Sequence, residues 1–343
     1  MYPGSGVDDP SIIGGYITTG AISGSVLVFV NFLIGVAIYY PFVRMLEYLK
    51  DARNKKNLKA LNEEVLSIET KFKTRIIDRY DIVGNLARIL SKDMMYDLHY
   101  TNNFFLEYQP QVSSEGKVVG AEALLRWRHS KFGLIIPPVT ILIAEESNFI
   151  EELGNWVIKN SCAQLARLRN IVDDDFVLSF NLSAEQLKKP KLVTVIERNI
   201  SEYGLRPTML KAEFTETAAI DNSMVTQETI SNIHKLGVKL AIDDFGMGHS
   251  SLLYIKEYAI DTLKFDGALV KDITYNKDSQ DIIGSIVKLC DTLNIDTIAE
   301  FVETQEQRDV LRSLGCNIYQ GYYFSKAVPE KELIDFLKKD HYN

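Results

Sequence analysis

Seven apolar runs in this chain each end on a polar or charged side chain, and their order limits the folds open to it. The first closes on Glu122, in Glu122-Ala123-Leu124-Leu125-Arg126-Trp127. The others close on Asn181, Glu213, the pair Asp243-Asp244, Lys264, Glu300 and Gln320. From Asn181 onward the spacings run from about 20 to 36 residues, room for one helix and two loops between successive strands. That is the rhythm of parallel strands joined by crossover helices, and it predicts an α/β fold closed into a TIM-type (β/α)8-like barrel. In such a barrel the carboxyl ends of the strands share one face, so residues far apart in sequence converge there.

Carboxylates and amides in that position are hard oxygen donors. They suit Mg²⁺ or Mn²⁺ rather than zinc, and the five histidines show no ligand spacing. Two ionised neighbours such as Asp243 and Asp244 repel in a cleft unless a cation offsets them. Two cations sharing one bridging carboxylate would do so best.

The motifs Tyr108-Gln109-Pro110, Asn181-Leu182-Ser183, Glu213-Phe214-Thr215-Glu216, Asp243-Asp244-Phe245-Gly246, Leu263-Lys264, Ala299-Glu300 and Gln320-Gly321-Tyr322-Tyr323-Phe324-Ser325-Lys326 follow the Glu122 run in order. In that order they resemble the EAL-domain phosphodiesterases that hydrolyse cyclic di-GMP, roughly from Leu98 to Leu337. The resemblance implies that Glu122, Asn181, Glu213 and Asp243 hold one metal. Asp243 would bridge to a second, bound also by Asp244 and, directly or through water, by Glu300 and Gln320.

Lys264 and Glu300 are then expected to position the attacking water. A lysine beside two metals should have a depressed pKa, so it can act as base or as a fixed positive partner. Arg126 suits a substrate phosphate, Gln109 and Asp266 resemble substrate-side positions, and Glu303 resembles a guanine contact or a support of its loop. Glu216 resembles the acid that anchors the loop after Asp243. Two metal ions per site, Mg²⁺ or Mn²⁺, are implied, with inhibition by Ca²⁺. The chain departs from the family pattern at Phe301 (commonly Gly), Gly267 (frequently larger), Met247, His249 and Ala327. The Phe301 ring is expected either to pack under the barrel rim or to crowd the site.

A net charge of −8 argues against a nucleic-acid polymer as partner, so an anionic dinucleotide must be drawn by local cations and Arg126. Cys162, Cys290 and Cys316 lie far apart and form neither a disulfide framework nor a C-x-x-C site, which implies a reducing compartment.

The amino-terminal region reads differently. Val26 to Val43 carries Asn31 as its one strongly polar residue, and with Ala21 to Ser25 it reaches bilayer-spanning length. Arg44, Lys50, Arg53, Lys55, Lys56 and Lys59 follow, so the positive-inside rule puts the carboxyl side in the cytoplasm, as a single-pass inner-membrane protein. Met1 to Met45 also resembles the carboxyl-terminal tail of a lactose/cellobiose-type phosphotransferase permease subunit, which leaves a permease partner open. Leu58, Leu61, Val65, Ile68 and Phe72 recur at spacings of three and four, the seam of a short parallel coiled coil and hence of a homodimer. An amphipathic helix lying on its own barrel is the other reading of that stripe.

The expected organisation is a membrane segment over residues 1–45 (helix about 21–43), a helical linker over 46–85 and an EAL domain over 86–340. The expected activity is opening of cyclic di-GMP to linear pGpG. The alternative is an EAL-fold receptor that binds cyclic di-GMP or a protein without turnover.

Overall fold

The computed structural model describes residues 90–219, 223–246 and 258–338. The expected membrane helix at 21–43, the linker at 46–85 and the permease-like tail lie outside these residues. Among the described residues no helix is long and apolar enough to cross a membrane.

Nine strands form one sheet: β1 (Phe104–Ser113), β2 (Val118–His129), β3 (Gly133–Ile135), β4 (Val177–Asn181), β5 (Leu210–Thr215), β6 (Lys239–Phe245), β7 (Thr262–Phe265), β8 (Asp296–Ala299) and β9 (Ile318–Tyr319). Pairing runs β1-β9-β8-β7-β6-β5-β4-β2-β3, and a further pairing of β1 with β2 closes eight strands into a barrel. The strands from β2 through β4 to β9 are parallel neighbours, whereas β1 is antiparallel to both β2 and β9. This departs from the all-parallel arrangement that the spacing predicts. A hairpin of four residues joins β1 to β2, and a connection that short can only reverse the chain.

Alternation divides the parallel strands into two faces. Leu178, Phe180, Ala212, Phe214, Leu240, Ile242, Leu263 and Phe265 are buried. Between them stand Ser179, Lys211, Glu213, Thr262 and Lys264, also buried, one residue out of phase and so on the opposite face. A barrel interior stocked with polar groups at successive strands is a site rather than a packed plug.

The crossover helices start and stop on local signals. Ser223 caps Met224–Lys235 by accepting from Thr226 N, and Asn276 caps Lys277–Leu293 through Asp278 N and Ser279 N. Thr304 and Gln307 make a capping box ahead of Gln305–Ser313. Gly204 ends Lys191–Tyr203 in the left-handed conformation. The long interval between Glu122 and Asn181 holds β3 and two helices, Pro137–Glu146 and Ile150–Leu168.

Residues 90–100 form a helix fixed to the barrel by polar contacts. Buried Asp97 accepts from Trp127 Nε1 at 2.9 Å and from Asn103 Nδ2 at 2.8 Å, and His129 pairs with Asp93 at 3.0 Å. The three cysteines are free and buried.

Candidate metal centre

Lys264 organises the site. Its side chain, on β7, is fully buried, and Nζ lies 2.6 Å from Glu213, 3.0 Å from Glu300, 3.1 Å from Asp243 and 3.2 Å from Glu122. The acids come from β2, β5, β6 and the residue after β8, so parallel register carries four sequence-distant carboxylates to one ammonium.

The charge does not balance at this point. One ammonium faces four carboxylates, and the electrostatics follow. Burial works against a charged Lys264, but the four carboxylates outweigh it and hold the ammonium well above its usual range. That direction belongs to the acids alone; the depressed pKa expected of Lys264 concerns the site with two cations beside it. Burial pushes Glu213 up to about 7 and Glu300 well above the carboxylate range, with repulsion from neighbouring acids adding to it. Burial opposes ionisation of Glu122 too, yet Lys264 and hydrogen bonds from Gln320 and Asn181 win, and its carboxyl sits below the usual range. Asp244 is exposed as a residue, but its carboxyl is partly desolvated and faces Asp243 and Asp266, which pushes it up to about 6.

Two oxygen groups lie within this cluster. Glu122, Glu213 and Asp243 can each bring an oxygen within 4.8 Å of the others, and so can Asp243, Asp244 and Glu300. Asp243 belongs to both. Glu213 Oε1 is buried without a hydrogen-bond partner while Oε2 is bound to Lys264. An orphaned buried carboxylate oxygen beside an excess of acids, with no His or Cys among them, fits a hard divalent cation. Asp244 reaches its place through a left-handed backbone (φ 56°), and its N–H donates to Asp243 Oδ1 at 3.0 Å.

The two amides sit beside Glu122. Asn181 Nδ2 donates to Glu122 Oε1 at 2.7 Å, and Gln320 Nε2 donates to Glu122 Oε2 at 2.7 Å and to Gln109 Oε1 at 3.1 Å. Gln320 thus stands beside Glu122 in this arrangement.

The remaining expected site residues lie on the rim. Arg126 is four residues beyond Glu122 and so on the same face of β2; its Nε pairs with Glu107 at 2.8 Å. Gln109 is fixed at both ends, donating to Ser325 O at 3.1 Å. Asp266 accepts from Ala268 N at 2.7 Å and so caps the helix Gly267–Val270. Glu303 is exposed. Glu216 is buried, and among the described residues neither carboxylate oxygen has a hydrogen-bond partner. Most of the loop it would anchor, including Met247 and His249, lies outside the described residues.

Sequence reasoning missed two members of this network. Gln111, buried, donates to Gln320 Oε1 at 2.9 Å, and Glu107 holds Arg126. The sequence holds only the alternation of Glu107, Gln109 and Gln111 along β1; the β1–β2 register puts them on one face with Glu122 and Arg126. Gly120 opposes Gln111 across the pair, and a Cβ there would come 3.0 Å from Gln111 Oε1 and 2.6 Å from Val177 O.

A closed barrel with a lysine-centred acidic cluster at its carboxyl rim defines a class of barrel proteins with a cation-binding active face. The EAL domain profile matches residues 93–327, and the chain belongs to the EAL-domain family. It is 35% identical over 234 residues to the cyclic di-GMP phosphodiesterase NbdA of Pseudomonas aeruginosa, covering 68% of this chain and 30% of that protein. It is 33% identical over 255 residues to the cyclic di-GMP phosphodiesterase PdeR of Escherichia coli, covering 74% and 37%. The chain therefore spans about a third of these relatives' length. Among solved structures, the phosphodiesterase MucR in its c-di-GMP complex aligns with a TM-score of 0.66 at 34% identity, covering 70% of this chain and 99% of that one. The EAL enzyme Bd1971, bound to cAMP and cyclic di-GMP, aligns at 0.70 and 28% identity, covering 85% and 78%.

Proposed function

We propose that this chain hydrolyses cyclic di-GMP to linear pGpG with two Mg²⁺ or Mn²⁺ ions, tethered to the inner membrane with its barrel in the cytoplasm. The observation that carries the reading is the pair of oxygen groups sharing Asp243 around a buried, protonated Lys264. The relatives named for this activity support the substrate.

Glu122, Asn181, Glu213 and Asp243 would hold one ion, and Asp243, Asp244, Glu300 and Gln320 the other. Ions so held supply neutralisation of the phosphodiester's non-bridging oxygens and a nucleophile at neutral pH. Ca²⁺ would inhibit, because it demands longer bonds and more ligands. The chain's own groups do the rest. Arg126, its Nε engaged by Glu107 and its Nη1 by Leu125 O, would present the remaining N–H groups of its guanidinium to a phosphate oxygen. Lys264, with Nζ 3.0 Å from Glu300 and 3.1 Å from Asp243, would serve with Glu300 to position the water. Glu300, 3.0 Å from Lys264 Nζ, would be ionised once cations offset the neighbouring acids and would then accept the water's proton. The water oxygen bonds to phosphorus, the bond from phosphorus to the 3′ oxygen breaks, and that oxygen takes a proton from bulk water as it leaves, which opens the ring. Gln109, Asp266 and Glu303 would border the nucleotide.

The apolar Val26–Val43 stretch and the basic residues after it support the tether, and the Leu58-to-Phe72 stripe supports a homodimer. Incubation of the purified chain with cyclic di-GMP and Mg²⁺ or Mn²⁺, with products resolved by chromatography, should yield pGpG. Binding without product would establish the receptor reading instead.

A further inference from the structure

Phe301 follows Glu300 directly, at the carboxyl end of β8, and stands 57% exposed at the rim of the site. Its φ is 53°, in the left-handed region that glycine enters freely and a residue with a Cβ enters at a cost. The conformation is imposed from both sides. Glu300 N donates to Phe265 O at 3.2 Å, Val302 N donates to Gln320 O at 3.1 Å, and Tyr323 N donates to Val302 O at 2.9 Å. A large aromatic therefore occupies a position built for glycine, beside the acid that faces Lys264.

Room for it comes from the neighbouring strand end. Gly267 begins the short helix after β7, and a Cβ there would lie 2.8 Å from two carbons of the Phe301 ring. One edge of the ring thus packs over the bare glycine, and the rest meets solvent. Packing alone does not account for the residue, because more than half of it stays in water and its backbone is strained. Strained, over-determined residues at a site mouth are candidates for function.

We infer that Phe301 is a specificity-determining platform on which one guanine base of the dinucleotide stacks, with Gly267 shaped to admit the ring. This rests on the proposed reading of cyclic di-GMP as substrate. The acids around the site repel the phosphates of an anionic dinucleotide wherever cations do not offset them. A base is the uncharged part of that ligand, and its π-face matches an exposed aromatic. Stacking on one aromatic changes affinity by roughly five- to a hundredfold.

The test compares Michaelis parameters of the full chain in Mn²⁺ for cyclic di-GMP and for bis(p-nitrophenyl) phosphate, a phosphodiester with no base. Phe301→Gly suits the backbone and will fold. It should raise KM for cyclic di-GMP at least about fivefold with kcat within about twofold, and Phe301→Trp should restore KM. Neither should change hydrolysis of the base-free diester by more than about twofold. Gly267→Ala should raise KM as well, but not further in the Phe301→Gly background, since it acts through the ring. An unchanged KM in Phe301→Gly, or an equal loss on both diesters, overturns the platform. A wild-type chain that cleaves the base-free diester and ignores cyclic di-GMP overturns the substrate reading, and the guanine platform with it.

Discussion

Asp243 is the one side chain common to both oxygen groups, so its charge is used twice. Asp243→Asn keeps the size and removes that charge, and should reduce turnover by at least about a hundredfold while the fold survives. Product formation under saturating Mn²⁺ measures it; full activity would sink the two-ion assignment. Lys264 carries a second, separable duty. Without added metal it is the counter-ion to four acids, three of them buried, so Lys264→Ala in chelator should cost about 3 kcal/mol of unfolding free energy. Mn²⁺ should then recover more stability in the variant than in the wild type. The same excess of acid sets a pH dependence. Glu213 and Asp244, at about 7 and 6, stand above their ordinary values of 4.5 and 3.8, so the folded state binds more protons than the unfolded one. Stability of the metal-free chain should therefore fall as pH rises from about 4 to 7. Denaturant midpoints at pH 5.5 and pH 8 in chelator check the sign, and Mn²⁺ should narrow the difference.

At the scale of elements, Gly321 sets how closely two strand ends approach. A Cβ on Gly321 would lie 2.2 Å from Val302 O and 2.4 Å from Val302 N, both backbone atoms that cannot swing away. Gly321→Ala should therefore separate the ends of β8 and β9 and displace Gln320 and its bond to Glu122. We expect a loss of about 2 kcal/mol in unfolding free energy together with reduced activity. Wild-type stability and rate would show that the strand ends yield freely. The same elements show what a sequence can disclose. Apolar runs ending in polar residues reveal strands and their carboxyl ends, because alternation is local and the crossover length is fixed by geometry. The direction of β1 is not local; it depends on its partners, and alternation is identical in either direction. Asp266 entered only through the family resemblance, as a substrate-side position, and its capping bond to Ala268 is a matter of backbone geometry. Glu107 and Gln111 were hidden for another reason. Glu107 acts across the β1–β2 pair and Gln111 on Gln320 beyond β9, and neither partner can be read from β1 alone.

At the scale of the whole molecule, the proposed stalk over residues 46–85 is what would join the barrel to its tether. If Leu58, Leu61, Val65, Ile68 and Phe72 form a parallel dimer seam, Leu61→Lys with Val65→Lys places four ammonium groups between two helices. Burying unpaired like charges there should disfavour the dimer by several kcal/mol, about a thousandfold or more in association. The Val26–Val43 stretch is untouched, so the variant should remain in the membrane fraction. Arg126, Lys264 and the acidic cluster are also untouched, so any change in phosphodiesterase rate would report on pairing and not on chemistry. The expected result is loss of crosslinked dimer, retention in the membrane, and an altered rate of pGpG formation. A variant that crosslinks as before at an unchanged rate would show the stripe lying on its own barrel. A chain that leaves the membrane fraction in either form would remove the tether.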